Sequence, residues 1–568
     1  MADTETLERE AGPPAVLSTG RGPRRLRGPV LTLLGFVLLL AALNLPNRPE
    51  QLSAGAWARI PLELVVLVAL GVVLPPRART LVATVLGLAL AVVVLLKALD
   101  IGMLVGFYRT FDPLSDPSYA GAGYGVLRDS VGGVRAVLVA VALGVAALAA
   151  LVLLPLAAVR VTRAAARHRR VATTGVVAVA VAWGLVAVLG TTTGAGLGVA
   201  SAQTATVTAD HVRDLRQGVT DRDDFERLAA SDPYAATSPQ GLLAGLQGKD
   251  VLVVFVESYG RVALEDPRLA PTVTAAVDRA TTGLGAAGFS GRSAYLTSPT
   301  FGGLSWLAHS TLQTGLPITD QVRYNAVIDS RRLTLASAFG AAGWRTVLVS
   351  PADENDISPV TGFYGYDALY DGPAVGYRGP KFGYAPVPDQ FTLATLAQRE
   401  LKPGPRPPLM AEVDLVSSHT PWAPLPRLLD PASLGDGSAY QQVFDQAATA
   451  DAVWSDPAKV KQAYADSVAY SLDALTSFVA NAHDDNLVLV VLGDHQPAAV
   501  ISGDKASHDV PISVVAKDPA VLDRIAGWGW QPGLRPTATA PVWPMDAFRD
   551  RFFSAFGTSG PSLAGKGS

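Results

Sequence analysis

In the second half of this chain, acidic and imidazole side chains collect at the ends of short apolar runs, where a metal ion or a phosphoryl group could be held. Glu257 and Ser258 follow Asp250–Val256 (DVLVVFV), and Gly493, Asp494 and His495 follow Leu487–Leu492. Ser417-Ser418-His419-Thr420-Pro421 follows Met410–Leu415, and His508 lies just before the run Ile512–Val515. Carboxylate together with imidazole is the ligand set preferred by zinc or manganese. A lone histidine is more often a satisfied structural group. The chain has only seven histidines, however, and His419, His495 and His508 all fall at run ends, which chance does not readily produce.

A hydroxyl nucleophile can be sought in Ser298–Gly315 (SPTFGGLSWLAHSTLQTG). Its first part is a Pro/Gly turn. From Ser305 it reads as helix, with Trp306, Ala308, Leu312 and Gly315 spaced for a buried side. A hydroxyl at a helix start is commonly an N-cap. The same position lets backbone N–H groups and the helix dipole receive a phosphate. Beside a metal, such a hydroxyl is an activated nucleophile.

The elements that must position these groups read as strands alternating with helices. The strands are Asp250–Val256, Thr346–Val349, Met410–Leu415, Leu487–Leu492 and Ile512–Val515; the helices are Thr272–Thr281, Leu333–Ala342, Thr392–Glu400 and Lys459–Ala482. This pattern predicts an α/β domain with a mostly parallel sheet, whose ligands gather at the carboxyl ends of the strands.

Ahead of that domain the chain changes character. Hydrophobic residues make up 49% of it and the mean hydropathy is +0.28, and the excess is concentrated before about Gly194. Five apolar stretches, Pro29–Leu45, Ile60–Leu74, Leu81–Phe107, Val134–Val159 and Val171–Thr191, predict a transmembrane α-helical bundle of about five spans. Arginines at 21, 24, 25 and 27, at 77 and 79, and at 160, 163, 167, 169 and 170 occupy alternate loops. That alternation predicts a cytoplasmic N-terminus and an extracytoplasmic C-terminal domain. The organisation expected is a basic tail (1–28), a membrane domain (29–193), a polar linker (194–248), a catalytic domain (249–556) and a disordered tail (557–568). Lys97 and Asp100, three residues apart within the third stretch, either mark a transport path or lie near its outer end and pair or snorkel to the interface. With no cysteine, thiolate sites and disulfides are excluded. A net charge of −3 leaves no cationic excess for nucleic acid.

From about Lys249 to Pro519 the chain resembles the alkaline phosphatase and sulfatase superfamily. There the nucleophile opens a helix, and a Thr-Gly pair follows with the Gly ten positions on; Thr314-Gly315 counts back to Ser305. Within that superfamily the likeness is to membrane-bound lipoteichoic acid synthases and phosphoethanolamine transferases. It rests on the spans followed by an outer domain, on Phe255–Ser258 (FVES), on Gly493-Asp494-His495 and on the histidine loop Ser417–Pro421. The resemblance implies that Glu257, Ser305, Asp494 and His495 bind one Mn²⁺ or Zn²⁺ ion. It implies that His419 and His508 contact the substrate phosphate or a second, weaker metal; in the mechanism expected, His419 or His508 protonates the leaving alcohol as a general acid. His309, one turn after Ser305 where sulfatases carry an Arg, would contact the transferred group or serve only on the helix surface. Trp422, with Tyr364, Tyr366 and Tyr370, would line a glycan cleft or pack the core.

The function so implied is transfer of a phospholipid headgroup, phosphoglycerol- or phosphoethanolamine-like, to a glycan or lipid acceptor of the cell envelope through a covalent Ser or Thr intermediate. A phosphodiesterase, phosphatase or sulfatase-like hydrolase is the alternative, and an inactive binding or assembly protein the second. The chain departs from the family pattern in three places. Ser305–His309 lacks the Pro and Arg of formylglycine sulfatases, which disfavours a sulfatase. Thr300 competes with Ser305 as nucleophile, because the synthases set their threonine further from the Gly. The segment Pro351–Thr361 carries no Arg to grip glycerol phosphate.

Overall fold

The structure is a computed structural model; it describes residues 24–107, 109–121, 124, 128, 132–193, 197–352, 362–503 and 506–558. The start of the basic tail, residues 353–361 of the Arg-free segment and residues 559–568 of the C-terminal tail lie outside the described residues. The chain forms two compact units, Met1–Ala98 with Leu138–Asp210 and Leu99–Val137 with His211–Ser568.

The first unit is helical. Each apolar stretch forms a helix: α1 (Arg24–Asn44), α2 (Leu62–Val73), α3 (Pro76–Phe107), α4 (Gly133–Arg167) and α5 (Arg169–Val188). Among the described residues three of them, α3, α4 and α5, are long and apolar enough to cross a membrane, where five spans were expected. The reason for the shortfall is length. At 1.5 Å per residue, the 12 residues of α2 reach about 18 Å against a hydrocarbon core of about 30 Å, and the apolar part of α1 is Gly28–Asn44. Large apolar side chains of α4 and α5, such as Leu138, Leu143 and Val188, point outward, as lipid contact requires. Inside, Leu39, Leu43, Leu67, Leu90, Leu154 and Val161 pack together. Lys97 does not snorkel. It is fully buried, donating to Leu43 O at 3.2 Å and Thr204 Oγ1 at 3.0 Å.

The second unit is built on a nine-stranded sheet: β1 (Asp250–Val256), β2 (Ser290–Thr297), β3 (Arg345–Ser350), β4 (Ala368–Asp371), β5 (Leu409–Leu415), β6 (Leu487–Gly493), β7 (Asp509–Ala516), β8 (Gln531–Pro532) and β9 (Val542–Pro544). The order is β8-β2-β7-β6-β1-β5-β3-β4, with β9 beside β2. The block β4-β3-β5-β1-β6 is parallel. The sheet as a whole is mixed, however, because β7 runs antiparallel to both β6 and β2. The physical reason is the link from β6 to β7, whose described residues hold just the short helix Ala499–Ser502 and which turns the chain straight back instead of crossing over. This reversal brings His508, which precedes β7, to the edge where the parallel strands end.

Every residue of β1 and of β6 is buried, as continuous apolar runs covered on both faces demand. Leu252, Val254 and Val256 pack under the helices Ala270–Ala286 and Pro457–Ala482. Val251, Val253 and Phe255 face the opposite layer, with Leu312, Phe339 and the C-terminal Phe548, Phe552 and Phe553. The linker expected over 194–248 is not loose throughout. It forms the helix Gln203–Ala230, and Tyr234, Leu242, Leu243 and Leu246 join the second unit's core. Asp232 ties this stretch down through Arg332 and the fully buried Arg549. Residues Leu99–Val137 also cluster with this unit. There Asp100 accepts from Phe111 N–H at 3.0 Å and faces His211 Nε2 at 3.2 Å, and Tyr119 packs against Trp306.

Asp389, at the start of the helix Asp389–Glu400, holds the loop that follows β5. Its Oδ1 accepts from Ser417 N–H at 3.0 Å and its Oδ2 from the Ser471 hydroxyl at 2.5 Å. Burial pushes this carboxyl up to about 6, with the hydrogen bonds pulling the other way. The native state therefore binds more protons than the unfolded chain between about pH 4 and pH 6, so this group's contribution makes stability fall as pH rises through that window, by about 3 kcal/mol in all. Asp389→Asn removes the titration, and the melting temperature of the variant is expected to lose that slope. An unchanged slope in the variant would assign the effect to another group.

Candidate active site

Val256 lies in register with Leu415 on one side and Gly493 on the other, so the residues that follow β1, β5 and β6 emerge side by side. Glu257 and Asp494 are thereby adjacent, and both are buried. Gly493 is required here for close approach: a Cβ on it would meet Tyr259 O at 2.0 Å. Ser258 takes a left-handed backbone (φ 57°), which aims its N–H at Asp494 Oδ1, 2.7 Å away. His495 N–H donates to the same oxygen at 2.7 Å. Left-handed non-glycine residues cost energy and persist where the surroundings impose them.

Ser305 arrives from the other side. After β2 the chain turns through Gly302 and Gly303, both at positive φ, and Leu304 at φ 66°, before the helix Ser305–Thr314 begins with Ser305 as its first residue. The half-buried Ser305 Oγ lies 3.1 Å from Glu257 Oε2 and 3.1 Å from His495 Nε2. His495 Nε2 is 3.5 Å from Glu257 Oε1 and 3.3 Å from Asp494 Oδ2. His495 Nδ1 lies 2.8 Å from Gln496 O, which makes Nδ1 the protonated nitrogen and leaves the Nε2 lone pair facing the cluster.

The donor set fits a divalent metal. Glu257, Asp494 and His495 offer ligand atoms within 4.8 Å of one another. A tetrahedral ion with bonds of about 2.0–2.2 Å separates its ligands by roughly 3.3–3.6 Å, close to the distances above. Asp494 Oδ2 is buried without a hydrogen-bond partner, which is the state of a ligand oxygen waiting for a cation. The electrostatics are uneven. Burial would raise the Glu257 carboxyl, but His495, His419 and the Ser258 hydroxyl outweigh it and hold the group well below the ordinary range. Asp494 is pushed up by burial and by the Glu257 charge beside it.

Of the other residues expected at the site, Thr300 is buried with its hydroxyl 3.5 Å from Ser298 Oγ, and does not join the cluster. His419 stacks on Tyr384 with ring centroids 3.8 Å apart, and its Nδ1 lies 2.6 Å from Thr420 O. His508 Nδ1 faces Ser298 O at 3.2 Å. His309 Nδ1 sits 3.2 Å from Glu412 Oε1 and 3.5 Å from Asp414 Oδ1. Burial would lower its pKa, yet these carboxylates raise it to about 9.

Trp422 is a correction to the expected cleft. It is 3% exposed, donates its indole N–H to Ser418 O at 2.8 Å and lies between Trp454 and Tyr464 in the core. Tyr364 is likewise buried, and Tyr366 and Tyr370 spend their hydroxyls on Glu412 and Glu400. Trp422→Ala is therefore expected to lower stability by about 3–5 kcal/mol, read from a denaturation midpoint, with the KM of any substrate unchanged. A raised KM at unchanged stability would restore the cleft.

Sequence reasoning missed the groups that brace the site. Ser418 Oγ donates to Glu257 O at 2.5 Å, Ser298 Oγ to Asp494 O at 2.6 Å and Tyr464 OH to Ser258 O at 2.9 Å. Their signal is weak, since hydroxyls are common in loops. Glu412 and Asp414 were legible in principle, because two carboxylates at alternate positions of an interior strand are unusual.

No protein-family model matches the chain, and no curated protein matches it by sequence. Solved structures similar to it include the following three. The lipoteichoic acid synthase LtaP from Listeria monocytogenes is 14% identical, with 61% of this chain and 78% of that chain covered at a TM-score of 0.36. A protein of the alkaline phosphatase superfamily from Vibrio parahaemolyticus is 14% identical, covering 59% and 74% at 0.34. The soluble domain of lipooligosaccharide phosphoethanolamine transferase A from Neisseria meningitidis is 13% identical, covering 55% and 90% at 0.34. These likenesses are ones of fold.

Proposed function

We propose that this chain is a membrane-anchored, metal-dependent phosphotransferase. It takes a phospholipid headgroup of the phosphoglycerol or phosphoethanolamine class and passes it, through a covalent intermediate on Ser305, to a hydroxyl of a cell-envelope glycan or lipid. The observation that carries this reading is Ser305 Oγ at a helix start, 3.1 Å from both Glu257 and His495, beside Asp494 Oδ2, a buried oxygen that accepts no hydrogen bond. The arginine alternation supports an N-terminus inside and the catalytic unit outside, which puts the site on the side of an outer-leaflet donor and its acceptor.

Glu257, Asp494, His495 and Ser305 would hold one Zn²⁺ or Mn²⁺ ion; bound there, it supplies the positive charge that makes a serine hydroxyl acidic and offsets charge on phosphoryl oxygens. The chain's own groups do the rest. Ser305 donates along its hydrogen bond to Glu257 Oε2, so the proton leaves in that direction as the Oγ–P bond forms and the P–O bond to the lipid alcohol breaks. The N–H groups of the first helical turn face the non-bridging oxygens. His419 or His508 donates a proton to the departing alcohol. In the second step the acceptor hydroxyl gives its proton to that imidazole and attacks phosphorus; the P–Oγ bond breaks, and Ser305 recovers its proton.

The test is release of diacylglycerol from headgroup-labelled phospholipid by the full chain in detergent, with and without Mn²⁺ or Zn²⁺. Metal-dependent release that Asp494→Asn abolishes supports the reading. Label found on an added acceptor means transfer, and label found free in water means hydrolysis. A folded, metal-loaded chain that releases no diacylglycerol would falsify it.

A further inference from the structure

A second group of ligating side chains lies one turn along the helix from Ser305. Glu412 and Asp414 flank Val413 on β5, so both project to one face of the sheet, where His309 meets them. The separations of His309 Nδ1, 3.2 Å from Glu412 Oε1 and 3.5 Å from Asp414 Oδ1, are again those of a tetrahedral ion's ligands, and all three donor atoms lie within 4.8 Å of one another.

The surroundings are built to hold these donors. Glu412 Oε2 accepts from Tyr366 OH at 2.6 Å and from Gln313 Nε2, which leaves Oε1 turned to His309. Phe255 stacks on the His309 ring with centroids 3.7 Å apart at 13°, fixing its plane. Hydrogen-bonded carboxylates and oriented imidazoles are what a metal's outer shell supplies.

The charge balance points the same way. Glu257, Glu412 and Asp494 are buried within one region, and among the described residues no ion pair joins any of them to Lys or Arg; their charged partners there are histidines. Buried charges need pairing or coordination.

We propose that His309, Glu412 and Asp414 bind a second divalent cation of the zinc or manganese class. The ion would pin the helix that begins with Ser305 to β5. This site is separate from the second metal expected from His419 and His508, and its occupancy does not depend on the reaction proposed above.

The experiment is metal content of the full chain in detergent, saturated with Zn²⁺ and then desalted. Wild type is expected to hold two ions per chain, Asp414→Asn one and Asp494→Asn one. Glu412→Gln serves if Asp414→Asn fails to fold, and the wild-type count stands without either. One ion in wild type that Asp494→Asn removes and Asp414→Asn keeps would overturn the proposal, the His309 proton then being the only occupant. Two ions undiminished in Asp414→Asn, or none in a folded chain, would also overturn it. One ion lost only in Asp414→Asn would sustain this site and remove the metal from the proposed catalytic one.

Discussion

Ser305→Ala is expected to lower phosphodiester turnover by roughly four orders of magnitude or more, the scale seen when a covalent nucleophile is removed, with the melting temperature little changed. The reason for the split is position. Ser305 Oγ sits at the junction of Glu257 and His495, and its residue is half-buried, so its loss removes the attacking atom and little packing. Thr300→Ala should do the opposite. Thr300 is buried with its hydroxyl toward Ser298, and among the described residues no hydrogen bond joins it to Glu257, Asp494 or His495, so the variant loses about 1 kcal/mol of stability and keeps its turnover within about tenfold. Steady-state kinetics beside thermal melts separate the two. Turnover lost in Thr300→Ala and kept in Ser305→Ala would transfer the role.

The second large effect is expected at a residue with no side chain. In Gly493→Ala the new Cβ falls 2.0 Å from Tyr259 O and 2.8 Å from Tyr259 C, backbone atoms that cannot swing aside. Either β6 or the turn after β1 must move, and that turn carries Ser258, whose N–H positions Asp494. Overpacking of this kind costs about 1–3 kcal/mol. Displacing Asp494 from Glu257 by even 1 Å should cost on the order of 100-fold in turnover and weaken metal binding in parallel. Calorimetric titration of Zn²⁺ into the variant checks this. Wild-type affinity together with wild-type turnover would mean that Gly493 sets stability alone.

Much of the second unit was legible because its central strands are buried on both faces. Val251–Val256 and Leu487–Leu492 had to be apolar throughout, and those runs are visible without any structure. The strand Ser290–Thr297 escaped notice because SGRSAYLT is neither continuous nor cleanly alternating; only Ser293–Leu296 and no other part of it is buried. The reversal of β7 depends on what a link of mixed composition does in space, which composition does not encode. At the site, Glu257, Asp494, His495 and Ser305 could be read from strand ends and one helix start. Trp422 misled because an aromatic beside a histidine loop looks the same whether it lines a cleft or fills a core. In the membrane unit hydropathy located the helices but not their usable lengths: α2 is apolar yet only 12 residues long.

The most direct test of the account is to trap the intermediate. The full chain, loaded with Mn²⁺ or Zn²⁺ and mixed with phospholipid donor, is quenched in acid and digested, and its peptides are weighed by mass spectrometry. The account predicts a phospho-headgroup adduct on Ser305 that is absent from Ser305→Ala and from donor-free controls. An adduct on Thr300, or turnover of the donor with no adduct on any residue, would contradict it.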